Sequence, residues 1–240
     1  MIKINAMDDD FNQNEPRLVW DFFQQKRNGL FVEVGANHPT KLSQTWFLEQ
    51  QGWSGVLIEP NPQLFKLLCE QRPRSRAVQA AVGSQAGEVE LLLGLDEGHS
   101  TLTPILDNPL SGKKVRVPLR TLDSILAEAG LTTVDYLSID VEGMELDVLK
   151  GLNLETHTPQ LILLEDHRHD YDKHFYLRRH GYRLVRRTRL NNWYVPLNSP
   201  MTIQKLNTPA ERIRLFRKMW LNPPFNNLKR KIKNIFRKNA

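Results

Sequence analysis

The 240-residue sequence contains a single cysteine, Cys69, so no disulfide can form within the chain. This excludes a disulfide-stapled fold and favours a reducing compartment. No run of apolar residues approaches the roughly 18–20 that a membrane-spanning helix needs. Residues 1–16 are acidic and have no apolar core, so we do not expect a secretory signal peptide. These absences predict a cytoplasmic protein.

The net charge is +6, but most of the chain lacks a net positive charge. Residues 201–240 hold 11 of the 33 Lys and Arg and one of the 27 acids, which leaves residues 1–200 with a net charge of −4. The basic character therefore belongs to a C-terminal tail. We divide the chain into an N-terminal helical lead-in at 1–29, a main domain at 30–200 and the tail at 201–240.

Apolar strands alternate with helices between residues 30 and 196. Continuous apolar strands such as Leu30–Val34 and Leu161–Glu165 are typical of a sheet that is covered by helices on both faces. The pattern predicts an α/β fold with a mostly parallel, doubly wound sheet. The last two strands, at Arg183–Arg186 and Trp193–Val195, are predicted to form an antiparallel pair.

Acidic side chains fall at or near the ends of four predicted strands: Glu33, Glu59, Asp140 and Glu165. The carboxyl ends of parallel strands meet at one edge of a sheet, and ligands of such sheets bind there. Together the four acids predict a site for a ligand with hydroxyl groups or positive charge. The alternative is that each acid caps a helix or a turn.

Glycine is scarce where a dinucleotide-binding protein needs it. The stretch FVEVGANH offers Gly35 and Ala36, which are small enough for a ligand to approach the backbone closely. Asn37 and Thr40 stand where the G-x-G-x-x-G fingerprint has glycines, so the turn lacks a pyrophosphate cradle and a nicotinamide or flavin cofactor is disfavoured. Glu59 ends the second strand, where a carboxylate accepts both hydroxyls of a ribose. The combination indicates an adenosine attached to something other than pyrophosphate.

Five segments resemble the FkbM family of S-adenosylmethionine-dependent methyltransferases: VEVGAN, LIEPNP, AVGSQAGEVEL, VPLRTLDSIL and DYLSIDVEGMELDVLKG. They span about residues 31–164, over half the chain. The last segment is the most specific, because an acidic D-x-E-G-x-E after a strand, followed by L-K-G, is rare by chance. The resemblance implies a Rossmann-like, class I methyltransferase fold that methylates oxygen, often on sugars or glycosylated products.

The resemblance also implies where S-adenosylmethionine binds. It assigns the cofactor to the first turn and the second strand end, through Glu33, Gly35, Ala36, Asn37 and Glu59. By analogy with the fold, the Ala81–Val82 turn after the third strand is expected at the adenine, and Asp140 borders the cofactor. The family often has Asp in place of Glu33 and a glycine a little beyond the Asn. Here His38 follows instead, in a reshaped loop, and is a candidate contact for the acceptor.

Methyl transfer from a sulfonium to a hydroxyl is an in-line displacement that needs a positioned acceptor and a base. Asp140 and Glu142 flank a strand end where the transferred group would lie. Histidine has a pKa suited to a base at neutral pH, and His167 follows the strand that ends at Glu165. We expect His167 or Asp140 to act as the base, with Glu142 positioning the substrate.

Two further acceptor contacts are expected, at His99 and Asp166. His99 lies in a long, glycine-containing loop that either covers the acceptor or is an ordinary surface loop. A divalent cation bound by Asp140, Glu142 or Asp166 would polarise a sugar diol. We favour the alternative without metal, in which Asp166 belongs to a solvated loop and helix start.

The tail contains two basic amphipathic segments, at 208–221 and 225–238, separated by two prolines. Trp and Phe on one face with Lys and Arg on the other are typical of helices lying on an anionic membrane surface. The alternatives are packing on the body or on a second subunit, which would give a homodimer. Nucleic acid ranks last because no aromatic–basic module accompanies the charge. We expect peripheral attachment to the inner face of the cytoplasmic membrane.

The sequence therefore predicts an S-adenosylmethionine-dependent O-methyltransferase that acts on a sugar hydroxyl of a glycan or glycoconjugate. A bacterial surface polysaccharide on a lipid carrier is the expected acceptor. One alternative is a methyltransferase of a small glycosylated metabolite. Another is a membrane-associated binding protein that has kept the fold and lost catalysis, which the retained acids at Glu33, Glu59, Asp140 and Glu142 argue against.

Overall fold

The computed structural model describes residues 11–93, 100–101, 114–166, 171–188 and 190–199. The helices in these ranges, numbered along the chain, are α1 (Phe11–Phe22), α2 (Trp46–Gln50), α3 (Pro62–Gln71), α4 (Leu122–Glu128), α5 (Glu145–Lys150), α6 (Leu154–His157) and α7 (Tyr171–Arg179). The strands are β1 (Leu30–Val34), β2 (Ser54–Ile58), β3 (Arg76–Val78), β4 (Ala81–Val82), β5 (Gly87–Leu93), β6 (Ser100–Thr101), β7 (Lys114–Arg120), β8 (Tyr136–Ile139), β9 (Leu161–Glu165), β10 (Tyr182–Thr188) and β11 (Asn191–Pro196).

The main sheet has the strand order β10-β11-β9-β8-β1-β2-β3. Strand β1 pairs in parallel with β2 and β8, and parallel pairing continues to β3 on one side and β9 on the other. Strand β11 is antiparallel to both of its neighbours, β9 and β10. This confirms the predicted Rossmann-like sheet with an antiparallel C-terminal pair. The chain runs outward from β1 in both directions, so the ligand crevice of such a sheet lies at the C-terminal end of β1.

Both faces of the main sheet are buried, which explains the continuous apolar runs of its strands. On one face Val32 and Val34 pack in a core with Leu122 of α4 and Val148 of α5. On the other face Phe31 packs with core residues from the first three helices: Val19, Leu48 and Leu68. Burial of each such side chain stabilises the fold by about 1.5–3 kcal/mol. Helices α1, α2 and α3 thus cover one face of the sheet, and α4, α5 and α7 the other.

The sequence pattern predicts one strand, the third, over residues 77–82, but the structure forms two strands there. Strand β3 belongs to the main sheet, whereas β4 pairs with β7 in a smaller sheet of order β4-β7-β5-β6. Val78 packs against the core of the main sheet, and Ala81 packs with Leu91 and Val117 in the small core of the second. Because these neighbouring residues serve two different cores, the chain leaves the main sheet after Val78.

Helix α1 is the described part of the N-terminal lead-in. Its Val19 shares a buried cluster with Trp53 and Trp193, so the helix packs directly on the main sheet. Glu15 is also buried and bonds to Thr188 and Asn191 of the terminal strand pair. Within the described ranges, no helix has the length and apolar character that crossing a membrane requires. The tail, including 208–240, lies outside those ranges.

Candidate active site

The turn after β1 is built by backbone contacts with its neighbours. Both Gly35 and Ala36 donate backbone hydrogen bonds of 3.0 Å to the carbonyl of Ile58 in β2. Gly35 has φ of +80°, and a Cβ there would lie 1.9 Å from the carbonyl oxygen of Asp140. Only glycine fits this position. The sequence suggested that the small residue makes room for a ligand, but the missing side chain makes room for the backbone that follows β8.

Glu59 follows β2 at the same edge and is 5% exposed. One carboxylate oxygen accepts the backbone N–H of Asn37 and the other that of Asn61, both at 2.8 Å. Asn61 in turn caps α3 through Gln63. Burial raises the pKa of Glu59 to about 7, a rise to which the charge of Glu33 adds, while the two backbone donors oppose it. Glu59 therefore ties the ends of β1 and β2 together around one carboxylate.

The remaining acceptor capacity of Glu59 fits the ribose hydroxyls of a nucleoside. A carboxylate offers about four lone pairs, and the two backbone donors occupy one on each oxygen. Each oxygen can accept one further hydrogen bond, which matches two neighbouring hydroxyls. Asn37, whose amide meets Glu59, lies exposed at the same turn. Glu59 is therefore the residue that would hold the ribose of a nucleoside at this turn.

The position of Glu33 at a strand end predicts a carboxylate that meets the cofactor rather than one that lies in the core, but the structure corrects this: Glu33 is a buried acid, 4% exposed. Its carboxylate accepts hydrogen bonds from the Ser43 hydroxyl (3.2 Å), the Gln44 amide (2.8 Å) and the Thr45 hydroxyl (2.5 Å). Burial raises its pKa, whereas these donors and Arg72 lower it. Its described partners lie in the loop before α2, so Glu33 fixes that loop. A direct contact between Glu33 and the cofactor stays a prediction.

Three carboxylates meet beyond the strands on the other side of β1. Oxygens of Asp140, Glu142 and Glu165 lie within 4.8 Å of one another. Asp140 follows β8 and Glu165 ends β9, so parallel neighbours bring them together. Glu142 has φ of +53°, and Gly143 has φ of +103°. The left-handed backbone costs a non-glycine residue about 1–2 kcal/mol, and such strain is concentrated at functional sites.

The carboxylates of this cluster share protons. Asp140 keeps contact with solvent, yet most of its surroundings are protein atoms. That desolvation, its hydrogen bond with Glu165 and the charges of Glu165 and Glu142 raise the pKa of Asp140 to about 9. Desolvation also raises the pKa of Glu165. Such a pair titrates as a unit, and at neutral pH it carries a shared proton. The cluster favours a positively charged group or sugar hydroxyls, and carboxylates in this arrangement are also ligands for a hard cation.

A buried ion pair that the sequence did not reveal supports the acidic cluster. Lys173 of α7, 5% exposed, donates to Glu145 (2.9 Å) and to the backbone carbonyl of Glu165 (3.2 Å). Glu145 also accepts the backbone N–H of Gly143 at 2.7 Å. The pair thus links the turn after β8 to the end of β9. The sequence signal for Glu145 is its place in D-x-E-G-x-E, while a lysine in a charged helix is normally exposed and gives no signal.

The structure corrects the expected role of Asp166. This residue is 2% exposed, and its carboxylate accepts a hydrogen bond from Asn192 at 3.0 Å. It lies 3.5 Å from Arg187 and 3.6 Å from Lys173. Asp166 is therefore a buried structural acid rather than an acceptor contact or part of a solvated loop. Glu165, not Asp166, joins Asp140 and Glu142.

The other predicted site residues lie in a turn, in a strand or outside the described residues. The His38 Nδ1 accepts the backbone N–H groups of Thr40 and Lys41, both at 3.1 Å, so this nitrogen shapes a turn. The expectation of a turn at Ala81 and Val82 is wrong, because they form β4 with buried side chains. The loop between β3 and β4 is Gln79–Ala80 instead. His99 and His167 lie outside the described residues.

The chain matches known proteins over its main domain. A family model for the methyltransferase FkbM domain matches residues 33–184. The AMB antimetabolite synthetase AmbE of Pseudomonas aeruginosa is 41% identical over 71 residues, covering 30% of this chain and 3% of that protein. Methyltransferase sdnD of Sordaria araneosa is 29% identical over 170 residues, covering 57% of this chain and 65% of that protein. The chain thus spans less than two thirds of the length of either relative.

Among solved structures, the methyltransferase FkbM from Methylobacillus flagellatus KT is similar with a TM-score of 0.48 and 18% identity, over 70% of this chain and 43% of that one. The family model covers more than half of the chain, including Glu33, Glu59 and the three clustered acids. The chain therefore belongs to the FkbM methyltransferase family.

Proposed function

We propose that this protein transfers a methyl group from S-adenosylmethionine to a sugar hydroxyl of a glycan or glycoconjugate. The observation that carries the proposal is the placement of two acidic sites on either side of β1. Glu59 lies at the end of β2, and the cluster of Asp140, Glu142 and Glu165 lies beyond β8 and β9. Strands β2 and β8 are two strand spacings apart, roughly 10 Å, a separation suited to the two ends of one elongated, cationic nucleoside.

Different residues bind different parts of the cofactor. Glu59 has acceptor capacity for the ribose hydroxyls, and the backbone of Gly35 to Asn37 lies between Glu59 and Asp140. The acidic cluster attracts the positively charged end of the ligand. S-adenosylmethionine supplies an electrophilic methyl group on a sulfonium. The missing glycine fingerprint in the first turn supports this cofactor over a dinucleotide.

The same cluster suits an alcohol acceptor. Carboxylates accept hydrogen bonds from sugar hydroxyls, and one that is positioned against the reacting hydroxyl takes up its proton. Asp140 and Glu142 are exposed at the edge, so an acceptor can reach them, whereas Glu165 is buried behind them. We assign the base to Asp140, since the positive charge of the bound cofactor favours the ionised form of a carboxyl whose pKa is otherwise raised, and we assign the positioning of the acceptor to Glu142. His167, outside the described residues, is the competing candidate for the base.

The acceptor and the location of the protein belong to the same proposal. The FkbM family often methylates sugars or glycosylated products, which supports a glycan acceptor. The basic amphipathic segments at 208–240 support attachment to an anionic membrane, where lipid-linked polysaccharides are assembled. Liposomes containing anionic lipid test the attachment. The full chain is expected to sediment with them, and a chain lacking 208–240 to remain in the supernatant. Equal sedimentation of both would remove the membrane from the proposal.

Calorimetry separates the cofactor classes directly. The wild-type protein is titrated with S-adenosylhomocysteine and, separately, with NAD. We expect saturable binding of S-adenosylhomocysteine alone, and loss of that binding in Glu59→Ala. The matched control is Glu88→Ala, which removes an exposed acid from β5 in the second sheet. Binding of NAD without S-adenosylhomocysteine would overturn the proposal.

Isotope transfer then identifies the acceptor class. Cell extract from a strain lacking the protein is incubated with the enzyme and S-adenosylmethionine labelled in its methyl group. Label in the polysaccharide fraction that resists mild base, as an ether does and an ester does not, is the expected result. Label in small glycosylated molecules would favour the metabolite alternative. Cofactor binding without label in any fraction would favour the inactive binding protein.

A further inference from the structure

Arg72, at the C-terminal end of α3, is a fully buried arginine whose partners lie around the loop before α2. Its side chain is 0% exposed. Nε donates to Glu49 at 2.8 Å and Nη2 to the Thr45 hydroxyl at 3.0 Å. Nη1 donates to the Pro39 carbonyl at 2.9 Å and to the Ser43 hydroxyl at 3.3 Å. One guanidinium thus holds both ends of the segment from 39 to 45.

Aromatic rings fix the plane of this guanidinium. Its central carbon lies 5.3 Å from the ring centre of Trp46 and 5.8 Å from that of Phe31. The Ser75 hydroxyl donates at 2.5 Å to the same oxygen of Glu49, the ion-pair partner, that Arg72 contacts. The group is therefore preorganised, with little freedom to turn away from the loop.

The direction of the hydrogen bonds gives Arg72 an influence on Glu33. A guanidinium only donates, so the Ser43 and Thr45 hydroxyls must accept from it. Each hydroxyl has one hydrogen, which is then left to point at Glu33. The Gln44 amide donates to the same carboxylate. Arg72 thereby makes two hydroxyls donate to one buried acid, beside the backbone amide of Gln44, and its positive charge favours the ionised form of that acid.

Glu33 lies two positions before Gly35, where the turn after β1 begins, and Glu59 holds the amide of Asn37 in that turn. We propose that Arg72 is a positioning residue for the cofactor: through Ser43, Thr45 and Glu33 it sets the conformation of the turn that binds S-adenosylmethionine. The inference rests on the proposed function. It adds a residue about 40 positions after the turn, with no motif marking it. Lysine cannot replace arginine there, because an ammonium cannot reach Glu49, Pro39 and Thr45 in one plane.

The test compares cofactor affinity with thermal stability in matched variants. Arg72→Lys keeps the positive charge and loses the planar set of guanidinium donors. Thr45→Val removes the hydroxyl that links Arg72 to Glu33, and Thr45→Ser keeps it. Val134→Ala serves as the control for lost stability, since Val134 is buried just before β8, at the opposite edge of the sheet. For each folded variant, calorimetry gives the Kd for S-adenosylhomocysteine and thermal unfolding gives Tm.

We expect Arg72→Lys and Thr45→Val each to raise Kd by roughly 10- to 100-fold, the range for losing a charge-assisted hydrogen bond. Thr45→Ser should bind like the wild type, and Val134→Ala should lower Tm with Kd unchanged. The double variant of Arg72→Lys and Thr45→Val should bind about as weakly as the worse single variant, because both act on one path.

The results separate this inference from the function. If Arg72→Lys does not fold, the pair Thr45→Val and Thr45→Ser decides, and equal binding by both overturns the positioning role. Wild-type Kd in folded Arg72→Lys also overturns it. So does a rise in Kd in Val134→Ala that scales with Tm, since affinity would then follow stability alone. Absence of S-adenosylhomocysteine binding in the wild type would instead refute the proposed cofactor.

Discussion

The two sides of β1 treat their carboxylates in opposite ways. Glu33 within β1 and Glu59 after β2 are buried and surrounded by backbone and hydroxyl donors. On the β8 side, Asp140 and Glu142 are exposed, and carboxylates face one another. The first arrangement fixes the backbone of a turn, and the second concentrates negative charge at an open edge. The buried acids therefore determine the backbone conformation of the turn, and the exposed acids beyond β8 determine the local negative charge.

The difference follows from what each acid has within reach. Glu33 faces a loop that supplies an amide and two hydroxyls in three residues. Asp140 has acids as its charged neighbours, and the buried Lys173 bonds to Glu145 and to the backbone carbonyl of Glu165 instead. An acid with enough donors is a structural element. An acid held against other acids stores unfavourable charge that a cationic ligand relieves.

The largest expected effect is on the side where charge is concentrated. Asp140→Asn keeps the shape and removes the proposed base, so turnover should fall by roughly 10²–10⁴-fold, the usual contribution of a general base. Binding of S-adenosylhomocysteine should change little by comparison, and labelled methyl transfer measures the turnover. Glu88→Gln in the second sheet is the control. Full turnover in Asp140→Asn would transfer the role of base to another residue, with His167 next.

Glu59 gives the next largest effect, and it depends on pH. An ionised carboxylate binds ribose hydroxyls, and the pKa of Glu59 is raised to about 7. Affinity for S-adenosylhomocysteine should therefore rise as pH increases from about 6 to 8. Glu59→Gln should bind roughly 10-fold more weakly at pH 8, with a flatter pH profile. An unchanged profile in this variant, measured by calorimetry in matched buffers, would place the titrating group elsewhere.

The raised pKa of Glu59 also makes the stability of the folded protein depend on pH. Because the folded-state pKa of Glu59 lies above its ordinary value of 4.5, the folded state binds this proton more tightly than the unfolded state. The stability from this group is full below pH 4.5 and is lost as pH rises through about 7. In the ligand-free protein, Glu59→Gln should therefore gain in Tm relative to the wild type as pH rises over that window. A constant difference in Tm across the window would contradict the assignment.

The alternation of strands and helices sufficed to predict the sheet, because covered parallel strands read as continuous apolar runs. The same pattern predicted that Glu59 and Asp140 lie at one edge of the sheet, because both follow the C-terminal ends of parallel strands. The donors around Glu33 were not predictable. They come from a loop whose path depends on Arg72, which lies 27 residues beyond Thr45 in the chain, and no local pattern marks a buried arginine. The same holds for Lys173, whose partners lie on two other elements.

The split of the predicted third strand has a similar origin. Residues 76–82 are uniformly compatible with a strand, and only the position of the second sheet decides that Val78 and Ala81 belong to different cores. Asp166 was misjudged because it follows a strand, as the site acids do. Its burial depends on Arg187 and Asn192 from the antiparallel pair, a contact between distant segments.

Two substitutions of Glu142 separate the effect of its backbone strain from the effect of its carboxylate charge. Its φ of +53° favours glycine, so Glu142→Gly relieves strain, while Glu142→Gln keeps the strain and removes the charge. After the entropy cost of glycine, Glu142→Gly should gain roughly 0.5 kcal/mol over Glu142→Gln, or about 1–2 °C in Tm. Both should transfer methyl groups more slowly than the wild type, because both lose the carboxylate. Equal Tm values would mean that the backbone at Glu142 is not strained.

The smallest effect is expected from removal of metal ions. The three clustered carboxylates have the chemistry of a cation site, but Asp140 and Glu165 share a proton, which already reduces the charge that a cation would offset. Turnover after exhaustive dialysis against EDTA should therefore stay within about twofold of the untreated enzyme, a free-energy change of roughly 0.4 kcal/mol. A larger loss that Mg²⁺ or Mn²⁺ restores would contradict this. In that case the side of β1 that concentrates charge would do so for a metal ion, and the acceptor hydroxyl would be activated by the metal rather than by Asp140 alone.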